Sequence, residues 1–490
     1  MSRKKAPHLQ SQLWSRAAPA LAGLTAIAAG FPAGAGTSIS TATTTPVATS
    51  TVNGGAADDI TVTSDGTIKP ASGTAVTLDS NNSVSNAGTI YYRDVDNVTD
   101  VLLLGGHTGS FSNTGTLEAD ETHTDTDSNG DGNYDGVFAT GTGRYGLRLT
   151  GTSPFVGDIS LSSGSVINIR GNDSAGVSLE AALQGTLLNV GSITAVGDRV
   201  FGVHAMSTIS GDVALRGSVS TTGLGAVAVQ LDDNVGGQLL VQSAIVSTGY
   251  RYTSRSSTQS VLDALGADDL LQGGSALVIK GDVAGGVLLE IPPTLDSTNT
   301  DVDGDGYTDT AEGSASVVSY GAAPAIVIGA SGRTVTLGDV GTNGEAYGFV
   351  NRGAIAGAGV YDGVSATGLQ VGVAGGLVNL TGGLSNQGSI GASSYDADAT
   401  AVHFLSGASA YTIVDAGSMT ATQTGDTAHS ATGLLIDAGA STPNLIISKA
   451  HSIGASIVGV TGTSTVGGNA TAIRDLSGSL TSIINNGFIA

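Results

Sequence analysis

A seven-residue alternation recurs along the chain: apolar, any residue, Asn/Asp/Ser, any residue, Gly, any residue, Ile/Leu/Met. It stands at 62–68 (VTSDGTI), 84–90 (VSNAGTI), 111–117 (FSNTGTL), 187–193 (LLNVGSI), 349–355 (FVNRGAI), 384–390 (LSNQGSI), 413–419 (IVDAGSM) and 483–489 (IINNGFI). Degenerate copies stand at 213–219 and 447–453. Period-2 alternation on either side of a turn predicts two short strands with every second side chain turned inward. Asn or Asp at the third position can close an Asx turn, and Gly two residues on is expected to supply left-handed backbone. Measured at the third position, the later copies fall at 351, 386, 415, 449 and 485, that is 35, 29, 34 and 36 residues apart. Self-similarity at tens of residues is the signature of a solenoid whose loops absorb the variation.

A second strand type recurs with the first, at 146–149 (GLRL), 367–371 (TGLQV), 400–404 (TAVHF), 432–436 (TGLLI) and 471–475 (TAIRD). In the later copies it precedes the Asn-x-Gly turn by about a dozen residues, so one coil contains both. The prediction is an all-β, right-handed parallel β-helix with loop insertions, spanning 57–490. Stacked Asn side chains on successive coils are expected to form amide ladders. A set of β-sandwich domains would want discrete aromatic cores.

Composition agrees with a thin core. Of 490 residues, 75 are Gly and only 4% are aromatic, while 40% are apolar. That apolar share is too high for wholesale disorder. Arg3, Lys4, Lys5 and Arg16 precede an apolar run from 17 to 31, with small residues at Ala33 and Ala35. Residues 1–35 therefore read as a secretory signal, and 36–56 as a Thr/Ser/Ala-rich linker. Without the signal the charge is 14 − 41 = −27. Such an acidic surface repels nucleic acid and suits divalent cations. The absence of Cys is compatible with a chain that crosses a membrane unfolded.

Three segments interrupt the repeat, near 120–136, 250–272 and 293–313, and the second carries a predicted short helix at 261–271. In the third, Asp301, Asp303 and Asp305 fall at positions 1, 3 and 5 of a calcium loop. Gly306 gives the turn at 6, Tyr307 would offer its carbonyl at 7, Asp309 stands at 9 and Glu312 supplies a bidentate carboxylate at 12. The alternative is a solvated acidic insertion. The first insertion offers a weaker match: Asp127, Asn129, Asp131 and Asp135 fit, but position 12 is Phe138. It reads better as a solvated loop. Tyr250, Arg251, Tyr252 and Arg255 form the one basic–aromatic cluster, a candidate for an anionic glycan or simply an insertion edge. Nucleophile-elbow, zinc-protease and phosphate-loop motifs are absent, and the histidines lack metal-ligand spacing. The expectation is a non-enzymatic protein. The alternatives are a β-helical carbohydrate-active enzyme, with carboxylates from adjacent coils, and a calcium-stabilised structural surface protein.

The N-x-G-x-I turns, the run GAADDI at 55–60, and the pair DDLLQGG (268–274) and KGDVAGG (280–286) resemble autotransporter passengers of alphaproteobacteria, sphingomonads in particular. The resemblance covers roughly 52–490. It implies export by type V secretion and display at the cell surface or outside the cell, as an adhesin-like scaffold facing a host cell, matrix or glycan. Outer-membrane anchoring would be through a C-terminal barrel, whose alternating strands are not seen up to Ala490.

Overall fold

The structure is a computed structural model, and it describes residues 36–128, 132–341, 345–425, 428–459 and 468–490. The expected signal segment, Asn129 and Asp131 lie outside the described residues. Three parallel sheets of 15, 14 and 13 strands run the length of the molecule, each strand pairing with its counterpart one coil earlier and one coil later. The chain visits the first, second and third sheet in turn, the right-handed course expected of parallel strands joined within a sheet. At about 4.8 Å per coil the stack is roughly 60 Å long. This is the predicted right-handed parallel β-helix.

The two strand types fall where the pattern puts them. The Asn-x-Gly heptad joins the first sheet to the second, as where Phe111–Asn113 leads into Thr116–Asp120. The other type forms the third sheet, with Thr367, Thr400, Thr432 and Thr471 in one register column. Inward side chains from all three sheets merge into one apolar core from Ile60 to Ile453. No coil buries its own face; each is closed by its neighbours.

The third position of the heptad points into the lumen, and the expected ladders are present. Asn86 Nδ2 donates to Asn113 Oδ1 at 2.7 Å. Asn351 Nδ2 donates to Asn386 Oδ1 at 2.8 Å, and Asn386 Nδ2 to Asp415 Oδ1 at 2.7 Å. Gly88 N–H closes the Asx turn on Asn86 Oδ1 at 3.1 Å. Leu161, Leu215, Val241 and Leu289 take the same column where a coil lacks Asn.

Several expectations are corrected. The heptads at 62–68 and 447–453 are out of frame by two: Val62 and Ile447, not Ser64 and Lys449, pair with Asn86 and Asp415. In both coils the corner is two residues longer, and a polar residue in the extra turn imitates the motif. The heptad glycines do not supply left-handed backbone, since Gly88, Gly115, Gly217, Gly388 and Gly417 are not among the residues with positive φ. Each lies under its counterpart in the adjoining coil. A Cβ at Gly115 would stand 2.1 Å from the Gly88 carbonyl oxygen, and one at Gly388 1.9 Å from that of Gly353. Close approach, not conformation, selects glycine here.

The segment read as a linker is the first coil. Thr37–Ile39, Ala42–Thr43 and Val47–Ala48 pair in register with the next coil. β-Branched Thr suits a strand, and Ser50 and Thr49 are tied to the Asp79 carboxylate. The helix of the second insertion is one turn, Gln259–Leu262, without a side-chain cap or buried residues, too short to hold itself against solvent.

Candidate metal centre and insertion arch

The third insertion leaves the first sheet after Val287–Leu289 and returns at Ser316–Tyr320, so it replaces an Asn-x-Gly corner. It folds back along the wall of the helix. Within it, the predicted ligands form two overlapping groups sharing Asp303: Asp301, Asp303 and Asp309, and Asp303, Asp305 and Glu312. In each group the carboxylate oxygens lie within 4.8 Å of one another. Two oxygens on opposite sides of a calcium ion, each at about 2.3–2.6 Å, have that order of separation. The Asp301 carboxylate accepts from the N–H groups of Asp305 (3.1 Å) and Gly306 (3.2 Å), which bends the loop around it. Gly306 has φ 91°, as the sharp turn at position 6 requires.

Burial of two of these residues separates the cluster from an ordinary acidic loop. The Glu312 side chain is 1% exposed and Asp309 is 3% exposed. Glu312 Oε2 and Asp309 Oδ2 are buried without a hydrogen-bond partner. Glu312 Oε1 accepts from Gln242 Nε2 at 2.9 Å and from Arg216 at 3.0 Å. Arg216 also meets Asp305 Oδ2 at 2.5 Å and lies 4.6 Å from the centre of the Tyr307 ring. One guanidinium does not neutralise the cluster. Burial first, and then the neighbouring Asp305 and Asp303, push the Glu312 carboxyl up to about 7. Burial and the charges of Asp305 and Asp301 raise Asp303 as well. A divalent cation would relieve both. The chemistry of the donor set, all hard carboxylate oxygens with a Tyr307 carbonyl available by position, suits calcium. Arg216 and Gln242 could not be read from the sequence, because they come from coils 96 and 70 residues away from Glu312.

The first insertion is arranged differently. Asp127 Oδ2 accepts from Gly132 N–H at 3.0 Å, and Asp135 Oδ2 from Ser128 Oγ at 2.6 Å. Among the described residues, Asp127 and Asp135 belong to no group of three metal-ligating side chains. Phe138, at position 12, packs under Arg251 of the second insertion with the guanidinium 4.4 Å from its ring centre. Arg251 donates to Gly136 O at 2.6 Å, and Gly136 N–H donates to Asp268 at 2.8 Å. Both insertions leave after second-sheet strands, Thr116–Asp120 and Ala244–Thr248. They reach over the three coils between and clasp each other as an arch. The predicted basic–aromatic cluster thus splits. Tyr250 is buried against Tyr361 in an edge-to-face pair, and Arg255 binds Asp362. Arg251 and Tyr252 face the space beneath the arch.

Histidines and carboxylates on the outer third sheet are taken up in small, separate clusters. His204 and Lys280 hold Asp232 (2.7 and 2.8 Å), His403 meets Asp437 (3.0 Å), and Arg148 grips Glu180 (2.6 Å). Burial pushes Asp232 up, but the bonds from His204 and Lys280 outweigh it and bring the carboxyl down to about 2. The neighbouring acidic residues Asp232 and Asp233, which follow the strand Val227–Leu231, take separate partners. No family model, no curated protein and no solved structure matches this chain.

Proposed function

We propose that this chain is an exported, surface-exposed passenger of the autotransporter kind, acting as a non-enzymatic, adhesin-like scaffold whose third insertion is clamped by calcium. The N-x-G-x-I coils and their resemblance support the passenger reading. The long rigid stack offers presentation: coils supply a polar wall, while the insertions carry what is recognised. The observation that carries the clamp is the pair of buried, unpartnered oxygens on Asp309 and Glu312, set among three further carboxylates. Extracellular calcium concentrations match the weaker class of loop sites.

Calorimetry on the full chain with calcium and with a chelator tests the clamp; calcium is expected to raise the melting temperature, and an unshifted transition removes it. Adhesion of cells displaying the chain, with each insertion replaced by a short turn, tests the scaffold. Adhesion that is lost on replacement supports it. Adhesion that never exceeds that of cells lacking the chain overturns it.

A further inference from the structure

The arch encloses a cleft of about 260 Å³, open to solvent, between the two insertions and the outer face of the second sheet. Its lining is unusual for so acidic a chain. Two arginines, Arg170 and Arg251, stand beside two tyrosines, Tyr134 and Tyr252, and a single carboxylate, Asp125. Tyr134 is 46% exposed and Tyr252 38%, so both are reachable from solvent. The Arg251 side chain is only 7% exposed. Its Nε is buried and has no acceptor, while stacking on Phe138 and the bond to Gly136 O fix the plane of the guanidinium. Among the described residues its acidic neighbour is Asp125, 3.7 Å away and half exposed. Nε is closed off from solvent and Nη2 is spent on Gly136 O, so the edge this oriented guanidinium offers to an anion entering from solvent is Nη1, 3.7 Å from Asp125.

We propose that this cleft binds a uronic acid residue of a polysaccharide, its carboxylate on Arg251 and its sugar ring against Tyr134 and Tyr252. A carboxylate offers the planar, two-oxygen acceptor that a guanidinium matches, and the ring's apolar face suits an aromatic platform. Arg170 adds a second guanidinium, partly balanced by Asp120 at 3.4 Å; its Nη1 donates to Phe138 O at 2.8 Å, which holds it at the cleft wall. An inorganic anion would leave both tyrosine faces unused. The inference deepens the scaffold reading by naming the ligand class, and it does not depend on the calcium clamp.

The test is titration of the full chain, followed by calorimetry or saturation-transfer NMR, with short glucuronate, galacturonate and mannuronate oligomers and with neutral hexose oligomers of equal length. At least one uronate is expected to bind, and the neutral oligomers roughly tenfold or more weakly. Arg251→Gln should abolish the preference. Because that change also loosens the arch, Tyr134→Ala is the second variant: it leaves the Arg251 contacts in place and should weaken uronate binding while the melting temperature stays unchanged. Equal binding of neutral oligomers, no binding of any uronate, or wild-type affinity in Tyr134→Ala overturns the assignment. If cell adhesion needs the insertions yet no uronate binds, this inference alone falls.

Discussion

Carboxylates are buried in two parts of this molecule on opposite terms. In the lumen, Asp100 is fully buried and neither of its oxygens has a partner. It sits in a third-sheet column of small residues, with Ala75 and Gly146 on either side and Gly176, Gly202 and Ala228 beyond, near Tyr92, whose hydroxyl is equally unpartnered. In the third insertion, Asp309 and Glu312 also keep a spare buried oxygen, but three more carboxylates and an arginine crowd the same spot. Apolar neighbours and a closed wall leave Asp100 one remedy, to hold its proton; burial, then the charge of Glu118, raise it well above the usual carboxylate range. The insertion lies at the surface and gathers charge, so the remedy we propose for it is a cation. Burial alone therefore does not mark a functional carboxylate; access and company do.

The largest effect should come from supplying that cation. At a concentration 100-fold above Kd, calcium adds about 2.7 kcal/mol to whatever the site holds together. Hydrogen exchange at Asp305, Gly306 and Tyr307, whose N–H groups bond loop carboxylates, should slow correspondingly. Asp303→Asn, which removes the residue common to both ligand groups, should abolish the gain. Asp127→Asn in the first insertion should leave it intact; if the two variants behave alike, the distinction drawn between the loops is wrong.

Next comes Asp100→Ala, expected to stabilise the protein by about 1–3 kcal/mol at low pH, where the carboxyl is protonated in both states, since an unpartnered buried polar group is removed and Ala75 already shows that the column accepts Ala. The sign follows from the raised carboxyl. At low pH the group is protonated in folded and unfolded chains alike. Above the usual carboxylate range only the unfolded chain ionises, which drains folding by about 1.4 kcal/mol per pH unit until the folded group also titrates. Denaturant titrations should therefore show the advantage of Ala growing as pH rises from about 4. Calcium should not change that trend.

These differences were only partly legible in the sequence. The coil was, because inward Val, Ile and Leu alternate strictly and an Asn stands out among them. Its frame slipped at Val62 and Ile447, where an apolar residue takes the Asn place and a longer corner supplies a decoy. The gathering of the loop carboxylates was also legible, since their spacing is local. Arg216, Gln242 and the arch were not. Each depends on which coil lies beside which, and the Arg251–Gly136 bond joins residues 115 positions apart. Asp100 was invisible for the same reason: only register shows that it occupies a column of small residues.

The smallest effect separates Asp415 from Asp100 within the lumen itself. Asp415 ends an amide ladder, with Oδ1 held by Asn386, and the Gly417 N–H adds a bond. Burial still raises its carboxyl, because those bonds offset the penalty only in part, and Oδ2 faces Ile447 without a partner. Asn at this position would keep both bonds and match Asn351 and Asn386 in the same column. Asp415→Asn should therefore stabilise by less than about 1 kcal/mol, with a gain that appears above the usual carboxylate range and levels off once the folded carboxyl ionises. Asp100→Asn should recover none of what Asp100→Ala does, since it leaves an unpaired amide where no ladder exists. If both Asn variants shift denaturation midpoints equally, the ladder is not what makes Asp415 tolerable, and burial alone governs the lumen.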